Sequence, residues 1–234
     1  MSVTKIPFES SILVVGYGGE GKTTLIERII RDNATRFKYI ICFSPTVELG
    51  GKDYQCLGGF TSPNCSADHV EKFFANQRQL AKMYNNGELK EPPEALFIFD
   101  DILDSSFNSY GKDKKFWSGK MSVQRHEYLS LIFSVQTLND VISPKMLSQF
   151  KKFFIFNSGV DPDKIRRSLP PMLVSGRAMT SSQFKTMFAK TFNEKYVALY
   201  YDKDKRDYNR KIKVKEADPF IIQYCIEDTS QSFL

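Results

Sequence analysis

The chain has 234 residues, 41% hydrophobic and 26% charged, a composition that fits one soluble domain over residues 1–234. Its net charge of +6 suits an anionic partner, while two histidines and four cysteines without a C-x-x-C pair argue against a zinc site or a disulfide framework and favour a reducing compartment. The sequence shows no signal peptide and no apolar run of membrane-spanning length, so no membrane partner is expected.

The first predicted elements are a buried strand at residues 11–15 and a helix at residues 22–32, joined by a glycine-rich loop. Gly16, four residues and then Gly21-Lys22-Thr23 match a phosphate-binding loop. Lys22 would reach the β- and γ-phosphates, Thr23 would ligate Mg²⁺, and the positive end of the helix dipole would lie at the phosphates. The predicted nucleotide-binding residues are Gly16, Gly18, Gly19, Glu20, Gly21, Lys22, Thr23 and Thr24. A glycine-rich turn without a ligand is the alternative, but it leaves the Lys-Thr pair unexplained.

A second strand is predicted at residues 39–43 and a second helix at about 67–84, where apolar residues recur every three or four positions. The polar segment 44–66 between them is predicted to be a long loop, and loops of this length are usually functional or disordered. Strands separated by helices favour a parallel sheet with right-handed crossovers.

A strand is predicted at residues 95–100, because the apolar run from Ala95 to Phe99 is typical of a buried parallel strand; Asp100 and Asp101 follow the run. Open α/β sheets bind ligands at the carboxyl ends of their strands, so both carboxylates should lie near the phosphate loop. Asp100 would hold Mg²⁺, directly or through water, and Asp101 would polarise the attacking water. The alternative is a strand that leaves the core into a polar loop, without a functional role for the two aspartates. The phosphate-loop pattern argues against this alternative.

Residues 104–124 are predicted to be a second long loop with a basic and aromatic composition. Its lysines are Lys112, Lys114, Lys115 and Lys120, and they surround Phe116 and Trp117. An exposed Trp117 beside lysines would favour contact with nucleic acid, whereas a solvated loop is the alternative.

A strand at residues 130–135 ends in Gln136, an amide that can orient water without acting as a base. Gln136 can equally be the first exposed residue after a buried strand, and both interpretations stay open at this point. The remaining predictions are helices at about 138–150 and at 181–192, and strands at 152–157, 196–201 and 211–214.

Five segments together resemble the poxvirus-type genome-packaging ATPases, a branch of the FtsK–HerA superfamily found in large DNA viruses, virophages and related elements. They are residues 16–23, 99–101, 125–136, 153–157 and 188–202, and the resemblance covers nearly the whole chain. It implies an α/β fold of the P-loop NTPase class with a RecA-like, mostly parallel central sheet flanked by helices. Strands at about 195–216 would form a C-terminal β extension of that sheet.

The resemblance also implies a Mg²⁺-dependent, ATP-hydrolysing motor that translocates double-stranded DNA, without sequence preference, into a preformed capsid. The implied partners are further copies of the chain in a ring (pentamer or hexamer), double-stranded DNA, and a capsid or portal-vertex protein, within the virion or host cytoplasm. It assigns catalytic roles to Lys22, Asp101 and Gln136. Arg125 best matches the arginine that a neighbouring subunit would supply; the other candidates are Arg166, Arg167 and Arg177. Asp101 departs from the glutamate found in many superfamily members and is one methylene shorter.

Three alternatives remain at this stage. A nucleoside or nucleotide kinase would share the phosphate loop and could use residues 166–177 as an arginine-bearing lid, although Gln136 argues against it. A related DNA translocase could serve conjugation or segregation rather than packaging. A nucleotide switch without catalysis is disfavoured by Lys22, Thr23 and the paired acids.

Overall fold

The computed structural model describes residues 4–49, 54–57, 61–101, 114–138, 142, 144–157, 161–169, 171–174, 177–205 and 207–213. The strands are β1 (Ser11–Val15), β2 (Tyr39–Phe43), β3 (Thr61–Ser62), β4 (Ala95–Asp100), β5 (Leu129–Val135), β6 (Lys152–Ile155), β7 (Leu173–Val174), β8 (Arg177–Ala178), β9 (Val197–Asp202) and β10 (Asp207–Lys213). The helices are α1 (Lys22–Asn33), α2 (Ala67–Asn85), α3 (Lys114–Val123), α4 (Pro144–Leu147), α5 (Pro162–Ser168) and α6 (Ser181–Thr191). Three 3₁₀ helices span Pro45–Leu49, Gln55–Leu57 and Gln124–Glu127.

Eight strands form one sheet in the order β10-β9-β6-β1-β5-β4-β2-β3. The six strands from β6 to β3 pair in parallel, and β9 and β10 extend the sheet with antiparallel pairing. Strands β7 and β8 form a separate antiparallel pair. This architecture confirms the predicted fold class, including the β extension contributed by the C-terminal strands.

Both faces of the sheet are covered, which explains the continuous apolar runs in its central strands. Alternate residues enter two separate cores, so that Leu13 belongs to one cluster and its neighbour Ile12 to the other. Helix α1 packs on the second face through Leu25, Ile26, Ile29 and Ile30. Helices α2, α3 and α6 cover the first face with side chains that include Phe74, Trp117 and Phe184. None of the helices in the described ranges is long and apolar enough to cross a membrane.

The prediction of a basic loop at residues 104–124 is wrong for its second half, which forms α3. Trp117 is only 5% exposed and packs edge-on against Phe99, with 4.8 Å between ring centroids. Trp117 and Met121 are four residues apart and therefore lie on the same helical face, a spacing obscured by the surrounding lysines and Gly119. Residues 102–113, including Lys112, lie outside the described ranges, as do the side chains of Lys114 and Lys115.

Lys120 also departs from the prediction, because it is buried rather than solvated. Its ammonium group pairs with Glu71 of α2 at 2.5 Å and lies 4.8 Å from the centre of the Phe74 ring. The predicted helix at 138–150 is reduced to α4 in the described part of that segment. The short elements β3, α5, β7 and β8 were not predicted, because two to seven residues carry too little periodicity.

Candidate functional site

The glycine-rich loop between β1 and α1 lies at the edge of the sheet where the parallel strands have their carboxyl ends. The Gly16 N–H donates to the Val135 carbonyl at 3.1 Å, which fixes the start of the loop beside the end of β5. A Cβ atom at Gly16 would lie 2.6 Å from Phe156 Cβ, so only glycine fits there without displacing the neighbouring chain. Gly19 and Gly21 have φ angles of 79° and 99°, in the left-handed region that favours glycine. These glycines therefore allow the loop backbone to form a compact turn at this edge of the sheet.

Helix α1 begins at the end of the glycine-rich loop, and neither a capping side chain nor an acidic residue balances the positive charge at its amino terminus. No side chain caps the helix at Gly21, and its first turn contains no acidic residue. Thr23 and Thr24 are half-buried in this first turn. The N–H groups and the positive end of the helix dipole therefore favour an anion at this position.

Lys22 places a buried cation at the same point. The residue is 6% exposed, and its Nζ donates to the carbonyl of Tyr17, within the loop, at 3.1 Å. Within the described part of the chain, one neutral hydrogen-bond acceptor and the nearby Asp100 charge are limited compensation for a buried ammonium group. Phosphate oxygens would supply stronger, charge-assisted acceptors, so the residues present fit a nucleoside triphosphate.

Asp100 ends β4 directly beside this cation, because β4 pairs with β5 and β5 pairs with β1. The residue is 3% exposed and lies opposite Ser134 in the strand register. Burial raises the pKa of its carboxyl group and the charge of Asp101 adds to that effect, while the Ser134 and Tyr54 hydroxyls and the Lys22 charge lower it. Its Oδ1 atom is buried and accepts no hydrogen bond of normal geometry from any described residue. A buried carboxylate oxygen without a donor fits an additional ligand such as Mg²⁺ or a metal-bound water.

Tyr54 is a partner of Asp100 that the sequence did not reveal. Its hydroxyl donates to Asp100 Oδ2 at 2.7 Å, and its side chain is fully buried. Burial, followed by the charge of Asp100, raises the pKa of Tyr54 well above its ordinary value, so the phenol is protonated and can donate. The two residues are 46 positions apart, and no motif or periodicity in segment 44–66 indicates the contact.

Asp101 and Gln136 follow the ends of the two adjacent strands β4 and β5. Asp101 adopts a left-handed backbone conformation with φ of 50°, and its N–H donates to the Ser134 carbonyl at 3.2 Å. Both residues are half-buried, in contrast to Asp100. The structure therefore brings Lys22, Asp100, Asp101 and Gln136 to one edge, where Asp101 and Gln136 are less buried than Lys22 and Asp100.

Arg125 is separated from this group. It is exposed in the 3₁₀ helix Gln124–Glu127, which precedes β5, whereas Gln136 follows that strand. Seven residues of strand at about 3.3 Å each place Arg125 roughly 20 Å from the phosphate-loop edge of the same molecule. Of the other candidates, Arg166 pairs with Asp163 within α5, and Arg177 is exposed on β8.

The sequence model of the family described as "Poxvirus A32 protein" matches residues 1–228 of this chain. Curated protein sequences give no match. The matched range includes every residue that the structure assembles around the phosphate loop.

Solved structures with the same fold include viral and bacterial proteins. The genome-packaging NTPase B204 from Sulfolobus turreted icosahedral virus 2, in complex with ATP-γ-S, is 16% identical with a TM-score of 0.53, covering 92% of this chain and 100% of that one. The pCW3 conjugation coupling protein TcpA is 15% identical with a TM-score of 0.61, covering 93% and 62%. EssC from Geobacillus thermodenitrificans is 13% identical with a TM-score of 0.57, covering 96% of this chain, which spans 43% of the EssC chain.

Proposed function

The chain belongs to the poxvirus A32 protein family and is an ATPase, and we propose that it is the motor that moves double-stranded DNA into a preformed viral capsid. The observation that carries this proposal is the family match over residues 1–228, within which the phosphate loop and the acidic end of β4 meet at one edge. The packaging NTPase B204 has the same fold and was solved with an ATP analogue, which supports ATP as the nucleotide.

The residues around the phosphate loop have different roles in hydrolysis. Lys22 exchanges the Tyr17 carbonyl for phosphate oxygens, and the glycine-rich backbone with the α1 amino terminus holds the remaining charge. Thr23 and Asp100 would hold Mg²⁺, which would supply neutralising charge at the phosphates. Asp101 accepts a proton or hydrogen bond from the attacking water, and Gln136 orients that water.

Assembly completes the site. Arg125 lies at the opposite edge of the sheet from its own phosphate loop, so it acts on the phosphates of a neighbouring copy. A ring of copies places the two edges against each other at every interface. Hydrolysis in this arrangement depends on the presence of the neighbour, which couples the subunits of the motor.

DNA is held through its phosphates, as the excess of 6 positive charges allows. Trp117 and Lys120 are both buried, so neither supports the predicted DNA contact of segment 104–124. The basic stretch at residues 203–215 is the next candidate; within it, Lys205 is exposed after β9.

The experiment that tests this function measures phosphate release by the purified protein with and without double-stranded DNA. We expect DNA to stimulate hydrolysis, and Lys22→Ala to abolish hydrolysis and sharply weaken ATP binding, because no other described cation occupies that position. Nucleoside monophosphates should not act as phosphate acceptors. Phosphoryl transfer to a monophosphate would instead identify a kinase, and full turnover by Lys22→Ala would contradict the nucleotide site itself.

A further inference from the structure

We propose that Tyr54 is a positioning residue for Asp100, holding one carboxylate oxygen so that the other is left for Mg²⁺ or one of its waters. This inference rests on the proposed function, because it assumes that Asp100 serves a metal-bound nucleotide. It adds a residue that no phosphate-loop or acidic-strand motif contains.

The geometry of the Asp100 carboxylate distinguishes its two oxygens. Oδ2 accepts from the Tyr54 hydroxyl at 2.7 Å, whereas Oδ1 is buried and accepts no hydrogen bond from the described residues. The buried Ser134 hydroxyl lies opposite Asp100 in the strand register and lowers the pKa of the carboxyl group, but it forms no hydrogen bond of normal geometry with Oδ1. The short hydrogen bond from Tyr54 to one oxygen restrains the rotation of the carboxylate group about its last side-chain bond. The free oxygen is thereby oriented before any metal ion binds, which reduces the ordering that binding requires.

Tyr54 is itself held in place from a second direction. Its backbone N–H donates to Glu27 Oε1 of α1 at 2.9 Å, and its φ of 60° is a left-handed conformation that is uncommon for an aromatic residue. Such a conformation persists when surrounding contacts determine it, and the burial of the ring supplies those contacts. Tyr54 therefore ties the helix that starts at the phosphate loop to the strand end that carries Asp100.

The charged and titratable groups around the carboxylate support a role for the hydroxyl that is specific to this site. Lys22 acts on Asp100 as a cation, whereas Asp101, directly after β4, and Cys42 of β2 are its acidic neighbours. Glu27 of α1 faces Tyr54. Lys22 is free to move to phosphate oxygens when nucleotide binds, whereas Tyr54 is locked in the core. The Tyr54 hydroxyl therefore stays with Asp100 Oδ2 through the binding step.

Tyr54→Phe removes only the hydroxyl and leaves the buried ring, so the variant should fold. Tyr200→Phe is the matched control, because the buried Tyr200 hydroxyl donates to buried Asp202 at 3.1 Å, far from the phosphate loop. Two readouts are needed: the affinity for a fluorescent ATP analogue in Mg²⁺ and in EDTA, and Mn²⁺ binding followed by electron paramagnetic resonance with nucleotide present.

We expect Tyr54→Phe to weaken Mn²⁺ binding and to raise the Mg²⁺ concentration needed for tight nucleotide binding by about 10-fold or more, with unchanged affinity in EDTA. Tyr200→Phe should match the wild type in both readouts. Wild-type metal dependence in Tyr54→Phe would overturn the inference while leaving the proposed function intact. A wild-type protein that binds nucleotide without any effect of Mg²⁺ would contradict both.

Discussion

The two aspartates at the end of β4 are adjacent in sequence, yet their surroundings differ. Asp100 is buried and hydrogen-bonded to Tyr54, whereas Asp101 is half-buried in a left-handed backbone conformation. A non-glycine residue in that region carries roughly 1–3 kcal/mol of strain, which is typically found at functional sites. This difference in burial and backbone conformation supports different roles for the two carboxylates.

At Asp101 we expect Asp101→Asn to retain ATP binding and to lose turnover by about 10²–10⁴-fold, because a general base contributes that factor. Gln136→Ala should show the same pattern if the amide orients the water. The measurements are kcat and the dissociation constant of an ATP analogue for each variant.

Asp101→Glu serves as the control, since it keeps a carboxylate and introduces the longer side chain found in many superfamily members. It should recover much of the turnover that Asp101→Asn loses. A variant that instead lost affinity while the bound-state rate stayed normal would show that the side chain holds the nucleotide rather than acting on water.

At the scale of single elements, continuous apolar runs and the phosphate-loop pattern predict β1, β4, β5 and α1 to within a residue of their ends. These elements are specified locally, by side chains buried on both faces of the sheet. The contact between Tyr54 and Asp100 is not specified locally, because it joins two residues that are 46 positions apart in the chain. Helix α3 was missed for a related reason: its lysines indicated solvent exposure, while packing against α2 and β4 decides its structure.

Lys120 on α3 allows a test of whether this lysine contributes to stability or to DNA binding. We expect Lys120→Met to leave DNA affinity unchanged and to lower the free energy of unfolding by about 1 kcal/mol, through loss of the Glu71 ion pair and the contact with the Phe74 ring. For a chain of this size that corresponds to a decrease in Tm of about 2–4 °C. Thermal unfolding and duplex-binding titrations measure the two effects.

The matched control is Lys72→Met, which changes an exposed lysine on α2 and should alter stability little. If Lys120→Met instead clearly lost DNA affinity with unchanged stability, Lys120 would be a DNA-contacting residue, which contradicts its buried position.

At the scale of the whole molecule, the sheet separates two functional edges. The carboxyl ends of the parallel strands gather the phosphate loop, Asp100, Asp101 and Gln136, while the residues that precede β5 place Arg125 at the other edge. One molecule cannot bring Arg125 to its own phosphates without unfolding β5. If Arg125 serves a phosphate site, that site belongs to another copy, and the catalytic unit of the proposed motor is then the interface between two copies.

This arrangement predicts complementation between two inactive variants. Arg125→Ala should lower hydrolysis by about 10³-fold or more, the size of an arginine-finger effect, while nucleotide affinity changes little. Lys22→Ala is inactive for a different reason, since its own site is damaged but its Arg125 is intact. Mixing the two proteins creates interfaces that pair an intact phosphate site with an intact arginine, so hydrolysis should rise above the sum of the separate variants.

The exposed neighbour His126 provides the control, because His126→Ala should retain activity alone and in mixtures. If the mixture assembles, as shown by light scattering, and yet hydrolyses no faster than its components, Arg125 does not act across the interface and one of the remaining arginines must be tested in its place.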